Sequence, residues 1–178
     1  MRAFIDFEPV MLLEDIDQKT YTKRLRLVML MVVVALCIIS IPFSALLIVL
    51  IGSAEGGNVI LNAIGVAVAA VIVVAVLKRT SGHPWMHEVV YVWRLKQQLN
   101  RITRKFKAVT EAAQRGERDA IIALNFSYRG SEQLYILDNN TITLDDLRLK
   151  IAALEAQISE LELKVSLDDY REELLKQY

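Results

Sequence analysis

Between Leu27 and Ile51 the chain runs for 25 residues without a charge, and 17 of them are Leu, Ile, Val or Phe. A second uncharged run of 19 residues follows, from Val59 to Leu77. No other feature constrains the fold as strongly. The hydrocarbon core of a bilayer is about 30 Å thick and takes about 20 helical residues to cross. Each run is long enough. A central Asp or Lys would oppose insertion by about 2.5–3.5 kcal/mol, and neither run holds one. Both are predicted to be transmembrane helices. A cleaved signal peptide fits the first run poorly, because the 26 residues before it mix five acidic and five basic side chains. The run is also longer than the roughly 7–15 apolar residues of a signal.

Charge sets the orientation. The seven residues Gly52–Asn58 contain three glycines and no Lys or Arg, which reads as a tight helical-hairpin turn. Lys23, Arg24 and Arg26 precede the first run, and Lys78 and Arg79 follow the second. The positive-inside bias then puts both termini in the cytoplasm and the turn outside. Trp85, Tyr91 and Trp93 follow closely and suit the headgroup level, where amphipathic rings are favoured.

Inside the first run, Pro42 lacks a backbone donor and clashes with the carbonyl of Ile38, so a kink is expected there. Ser40 and Ser44 are placed to bond the freed groups. In the second run Ala63 and Ala67, and Gly65 and Ala69, are small residues four apart, which lets neighbouring helix backbones approach closely. Asn62 is the strongly polar residue of that run. The absence of any carboxylate, His, Arg or Lys at depth argues against a proton pump or coupled transporter. Cys37, the single cysteine, lies in the first run and reads as a small apolar residue.

After Lys78 the pattern becomes periodic. Ser81-Gly82-His83-Pro84 reads as a break followed by a helix start, with Pro84 suited to the first helical position. Val92, Leu95, Leu99, Ile102, Phe106, Val109 and Ala113 then recur in steps of three and four until Gly116. A second stripe comprises Leu144, Leu147, Ile151, Leu154, Ile158, Leu161 and Val165. Each spans about three heptads, enough to predict a coiled coil. The predicted helices are 84–115, 117–138, 143–165 and 167–177. Thr143 with Asp146, and Ser166 with Asp169, resemble capping pairs. The 117–138 helix is the weakest of these, interrupted by Gly130, and Asp138-Asn139-Asn140 reads as its exit turn.

The fold expected is all-α: a cytoplasmic N-terminal segment over 1–26, a transmembrane hairpin over 27–77, and a cytoplasmic helical bundle or coiled coil over 78–178. Charge divides the last region. Residues 78–118 carry ten basic and three acidic side chains, and residues 119–178 six basic and twelve acidic. This suits pairing of the first and last long helices, within one chain or between chains, and favours a homo-oligomer.

No catalytic, cofactor-binding or metal site is assigned. His83 and His87 are four apart, but His83 precedes the proline that starts the helix, so the two do not share a helical face with a third ligand. Gly52–Asn58 lacks the lysine and Ser/Thr of a phosphate loop. Arg94, Lys96, Arg101, Arg104, Lys105 and Lys107 form a basic run. A face paired with the acidic C-terminal region is its favoured reading, ahead of attraction to anionic lipid. Nucleic acid is not expected, for want of a base-reading motif. Asn125–Gln133 is rich in polar side chains and suits a partner surface, with no nucleophile-and-base pair.

Taken together, Leu13–Asp17, Tyr21 and Arg24 ahead of a two-span hairpin, then Leu124-x-Phe126-x-Tyr128-x-Gly130, Gln133-Leu134-Tyr135, Leu137-Asp138-x-Asn140-Thr141 and a closing heptad helix, form a recognisable order. The chain resembles a domain-of-unknown-function family of small two-pass bacterial membrane proteins. The resemblance implies the inner membrane of a Gram-negative cell and brings no activity or catalytic residue with it. The function expected is a non-enzymatic, membrane-anchored structural or adaptor protein that self-associates through its transmembrane and cytoplasmic helices. The alternative is an oligomeric pore or an accessory subunit of a membrane transport complex. Its expected partners are the lipid bilayer, further copies of the chain and an unidentified protein.

Overall fold

The computed structural model describes residues 11–53, 56–140 and 142–178. Expectations resting on residues 1–10, on Ala54 and Glu55 of the turn, or on Thr141 lie outside the described residues. The architecture is helical, with no strand among the described residues.

Helix α1 covers Gln18–Ile51 and α2 covers Val59–Thr80. Both are long and apolar enough to cross a membrane. Each contains its predicted run and continues beyond it, α1 starting at Gln18 and α2 ending at Thr80. Pro42 sits inside α1, which continues through it as one helix of 34 residues. Lys78 and Arg79 occupy the last turn of α2, where cations oppose the negative end of the helix dipole. The turn before α2 is fastened by Asn58, whose side chain accepts from Ser53 N–H at 3.0 Å and donates to Ser53 C=O at 3.1 Å.

The hairpin closes most tightly at Gly65. A Cβ placed there would stand 2.0 Å from Ser44 Oγ and 3.2 Å from Ser44 Cα, so any side chain there would force Ser44 to shift. Gly65, Ala69 and Val73 recur every fourth residue and are the buried positions of α2. Ala63 and Ala67, the other predicted packing pair, are exposed on a different face.

The chain divides into two compact units. One is the hairpin unit, Lys19–Val90. The other is a helical unit that takes in the stretch up to Gln18 together with Tyr91–Tyr178. A 3-10 turn at Pro84–Met86 leads into α3 (His87–Arg104), with Pro84 at the predicted first position. Then come α4 (Phe106–Gln114), α5 (Arg118–Leu137) and α6 (Leu144–Glu160). Two 3-10 segments, Leu167–Asp169 and Glu172–Gln177, follow; they stand in place of the single short helix expected over 167–177. Ser166 and Asp169 form the predicted capping box, whereas Thr143 makes no side-chain cap bond.

The centre of the helical unit is α5, on which α4, α6 and both C-terminal 3-10 segments pack. Nine of its residues are buried, among them Ile121, Ile122, Phe126 and Gly130. This is the helix that local sequence signals rank weakest. Gly130 explains the inversion: a Cβ there would lie 3.1 Å from both Leu95 Cδ1 and Leu99 Cδ2. The glycine costs helix propensity, roughly 1 kcal/mol, and in return lets two leucines of α3 reach the α5 backbone.

The two heptad stripes do not form two long helices. The first divides at Lys105, between α3 and α4. Leu99 and Ile102 are buried, but Phe106 is 39% exposed and meets Tyr128 in a tilted ring contact at 6.4 Å. The second stops at Glu160 instead of reaching Val165. Leu147, Ile151 and Leu154 are buried, Ile158 is half-buried and Leu161 is 43% exposed. Most apolar positions of both stripes are buried within one chain, while Phe106 and Leu161 stay exposed.

Candidate functional site

The N-terminal stretch Met11–Asp17 has no helix or strand, yet it is held on the helical unit by a closed set of hydrogen bonds. Tyr91 of α3 is the pivot. Its hydroxyl accepts from Glu14 N–H at 3.0 Å and donates to Gln133 Oε1 at 2.8 Å. Gln133 in turn donates from its amide to Glu14 C=O. Gln18 adds a bond from its side-chain amide to Ile136 C=O at 2.6 Å. The stretch acts as a strap, with Met11, Leu13 and Ile16 half-buried beneath it. Burial pushes the Tyr91 hydroxyl above its ordinary value, against the opposing pull of its bonds to Glu14 and Gln133, so it stays a donor at neutral pH.

A groove of about 330 Å³ lies beside the strap, lined by Leu13, Asp15 and Ile16 with Arg129, Glu132 and Gln133 of α5. Arg129 and Glu132 are committed elsewhere: Arg129 pairs with Glu132 at 3.2 Å and with Glu155 of α6, and Glu132 pairs with Arg148 at 3.2 Å. The network fixes α6 on α5. The polar segment read from sequence as a partner surface is thereby divided: Ser127 and Gly130 face the core, while Arg129, Glu132 and Gln133 hold α6 and the strap.

The basic run resolves differently from a free cationic face. Arg101 pairs with Glu172, Lys105 donates to Leu175 C=O at 2.6 Å, and Lys96 pairs with Asp138 at 2.8 Å. Arg118 adds a pair with Asp169 at 3.0 Å. Basic and acidic regions do meet, but the acidic partners of α3 are Asp138, at the end of α5, and Glu172 of the C-terminal 3-10 segment instead of residues of α6. Such exposed pairs contribute about 0–1 kcal/mol each, so they set register more than stability. Burial supplies the anchor, because Tyr170 stacks on Phe126 at 4.2 Å with ring planes 13° apart.

In the hairpin unit, Arg24 forms a half-buried ion pair with Glu88 and donates to Pro84 C=O at 3.5 Å. Beside it, Tyr21, Val28 and Met86 are buried. Among the expected interface residues, Arg24 is thus tied within the protein, and Lys23, Arg26, Lys78 and Arg79 are exposed. Trp85 is half-buried, Trp93 exposed, and Tyr91 buried in the clamp just described. His83 serves as a cap, its Nδ1 accepting from Trp85 N–H at 3.1 Å. No group of three His, Cys, Asp or Glu side chains among the described residues is arranged to hold a metal ion.

With strap, hairpin and helical unit in view, comparison with known families decides the affiliation. One family model, described as Protein of unknown function (DUF3087), matches residues 11–175. The chain belongs to this family. The DUF3087 match begins at the first described residue of the strap and ends at Leu175, the buried residue of the last 3-10 segment. It therefore takes in both units as one region. No curated protein and no solved structure matches the chain.

Sequence reasoning missed the clamp. Tyr91 reads as a headgroup anchor because it follows an apolar run, and a glutamine in a polar segment has no periodic signature. The available hint is the apolar set Met11, Leu13 and Ile16 within a charged stretch, since an exposed tail has no use for it.

Proposed function

We propose that the chain is a non-enzymatic, membrane-anchored structural or adaptor protein, with α1 and α2 crossing the inner membrane of a bacterial cell and both termini on the cytoplasmic side. One observation carries this reading: the apolar surface of the hairpin is turned outward. Only 6% of the most apolar window of α1 and 17% of that of α2 is buried, and Leu30, Ile38, Val49, Ile60 and Val71 are all more than half exposed. Contiguous apolar surface on this scale is unstable in water and is at no disadvantage in lipid. The charge asymmetry across the turn supports the orientation.

Self-association falls to the outer faces of the hairpin, because most of the heptad residues of the helical unit are buried within a single chain. The helical unit is then the part offered to a partner protein. A pore needs a polar stripe along one helix face, whereas Ser44 is buried against Gly65 and Asn62 is an isolated exposed polar group.

Alkaline carbonate washing tests the anchor, and the protein is expected to stay with the membrane pellet. Release into the supernatant overturns it. Mass in mild detergent tests assembly: a multiple of 20.2 kDa is expected, and a lone monomer with no associated protein refutes the structural or adaptor role.

A further inference from the structure

We propose that one face of α3 is a docking surface for the anionic headgroups of the bilayer, and that the C-terminal 3-10 segments cover it in competition with them. The reading rests on the membrane assignment above. Arg94, Gln98, Arg101 and Lys105 follow one another at steps of four, three and four. That spacing puts them on one side of α3 and of the break that ends it, over about 16 Å at 1.5 Å per residue. Between His87 and Thr110 the one acidic residue is Glu88, and it is paired with Arg24.

The resident cover is acidic. Between Ser166 and Tyr178, Asp168, Asp169, Glu172 and Glu173 stand against Arg171 and Lys176. Glu172 pairs with Arg101, and Leu175 C=O accepts from Lys105. The cover is also loosely held. Its elements are 3-10 turns, and its ion pairs are exposed enough for salt to screen them. Tyr170 Oη of the cover and Gln98 Oε1 of the face are both buried without a hydrogen-bond partner, and each regains one when water reaches it.

Charge and tether select the competitor. A ligand that displaces an acidic segment from cations must itself be anionic. The same segment of a second copy would only remake the resident bonds. A headgroup layer presents many phosphates at once, and guanidinium groups pair with phosphate in a two-bond fork. It is also near, because six residues, Ser81–Met86, separate α2 from α3. Arg94 decides between cover and lipid. It shares the face of Arg101 and has no ionic partner among the described residues, so the docked segment leaves one cation of the face for a headgroup.

Amide exchange over residues 167–177 reports whether the cover is down. The full chain is reconstituted in phosphatidylcholine nanodiscs in which phosphatidylglycerol rises from none to about a third of the lipid. An anionic surface favours each nearby basic residue by about fivefold. Exchange over 167–177 is therefore expected to quicken by about tenfold, while exchange in α6 stays as it was. Arg94→Gln breaks no bond of the docked segment. It is expected to leave exchange in pure phosphatidylcholine unchanged and to cut the response to phosphatidylglycerol to about twofold. Equal quickening by inorganic phosphate in pure phosphatidylcholine discs, at matched ionic strength, overturns the assignment to lipid. Exchange indifferent to phosphatidylglycerol overturns the docking surface and leaves the membrane reading standing. A chain that does not co-purify with the discs overturns both.

Discussion

Tyr170 is the residue on which the C-terminal segment turns. Its ring is 1% exposed and stacked on Phe126, while its hydroxyl, also buried, has no hydrogen-bond partner. An unsatisfied buried hydroxyl costs free energy that an apolar group of the same shape does not. Tyr170→Phe is therefore expected to keep or raise stability, by up to about 1 kcal/mol, and Tyr170→Ala to lower it by about 3–5 kcal/mol, both read from denaturant titration. Burial pushes the Tyr170 hydroxyl from 10.0 up to about 12. The folded state thus holds this proton more tightly than the unfolded chain. Its contribution is whole below pH 10 and is lost as pH climbs toward about 12. Alkaline titration should show Tyr170 ionising together with loss of helix, and Tyr170→Phe should move unfolding to higher pH. Loss of helix at the same pH in both proteins would refute this assignment.

At the level of helices, ends matter as much as periodicity. Three helices close the same way, with a residue in the left-handed region followed by an N–H that reaches back five residues. Gly116 (φ 82°), Asn139 (φ 54°) and Glu162 (φ 51°) take the left-handed position. Glu117 N–H then bonds Ala112 C=O, Asn140 bonds Tyr135, and Leu163 bonds Ile158, at 2.8–3.1 Å. Glycine and asparagine announce such an end in the sequence. Glutamate does not, which is why the second stripe reads as a helix to Val165. Left-handed backbone costs a side-chain-bearing residue about 1–2 kcal/mol, so Glu162→Gly is expected to stabilise the protein by about 1 kcal/mol, visible as a higher melting temperature. In the hairpin, Gly65→Leu should force α1 and α2 apart and lower the SDS concentration at which helicity is lost. Ala67→Leu, on the exposed face, should leave it unchanged. Equal sensitivity at the two positions would mean that Gly65 is not the crossing point.

The whole molecule is assembled from both ends of its chain. The helical unit draws on residues before α1 as well as those after α2, so the polypeptide passes between the units at 18/19 and again at 90/91. The strap makes the first passage structural. Removing the Tyr91 hydroxyl should cost about 1 kcal/mol for each bond lost. With two bonds lost, Tyr91→Phe is thus expected to speed amide exchange over residues 11–18 by about thirtyfold while exchange in α5 stays as it was. Acceleration spread evenly over the unit would assign Tyr91 to general packing instead of the clamp.

Local sequence carried the helical class, the two apolar helices, the start at Pro84, the extent of α5 and the capping box at Ser166. Each follows from charge, periodicity or cap chemistry among residues close along the chain. Tertiary structure decided which helix is central and where the heptad seams are buried. It also decided which acidic segment meets α3 and that the N-terminal stretch is a strap. Those outcomes depend on partners far apart along the chain, such as Tyr91 with Gln133, 42 residues away, and Gln133 with Glu14, 119 residues away. Gly130 shows the reason in one residue: judged by its neighbours in sequence it weakens a helix, and judged by Leu95 and Leu99 it is where the helical unit closes.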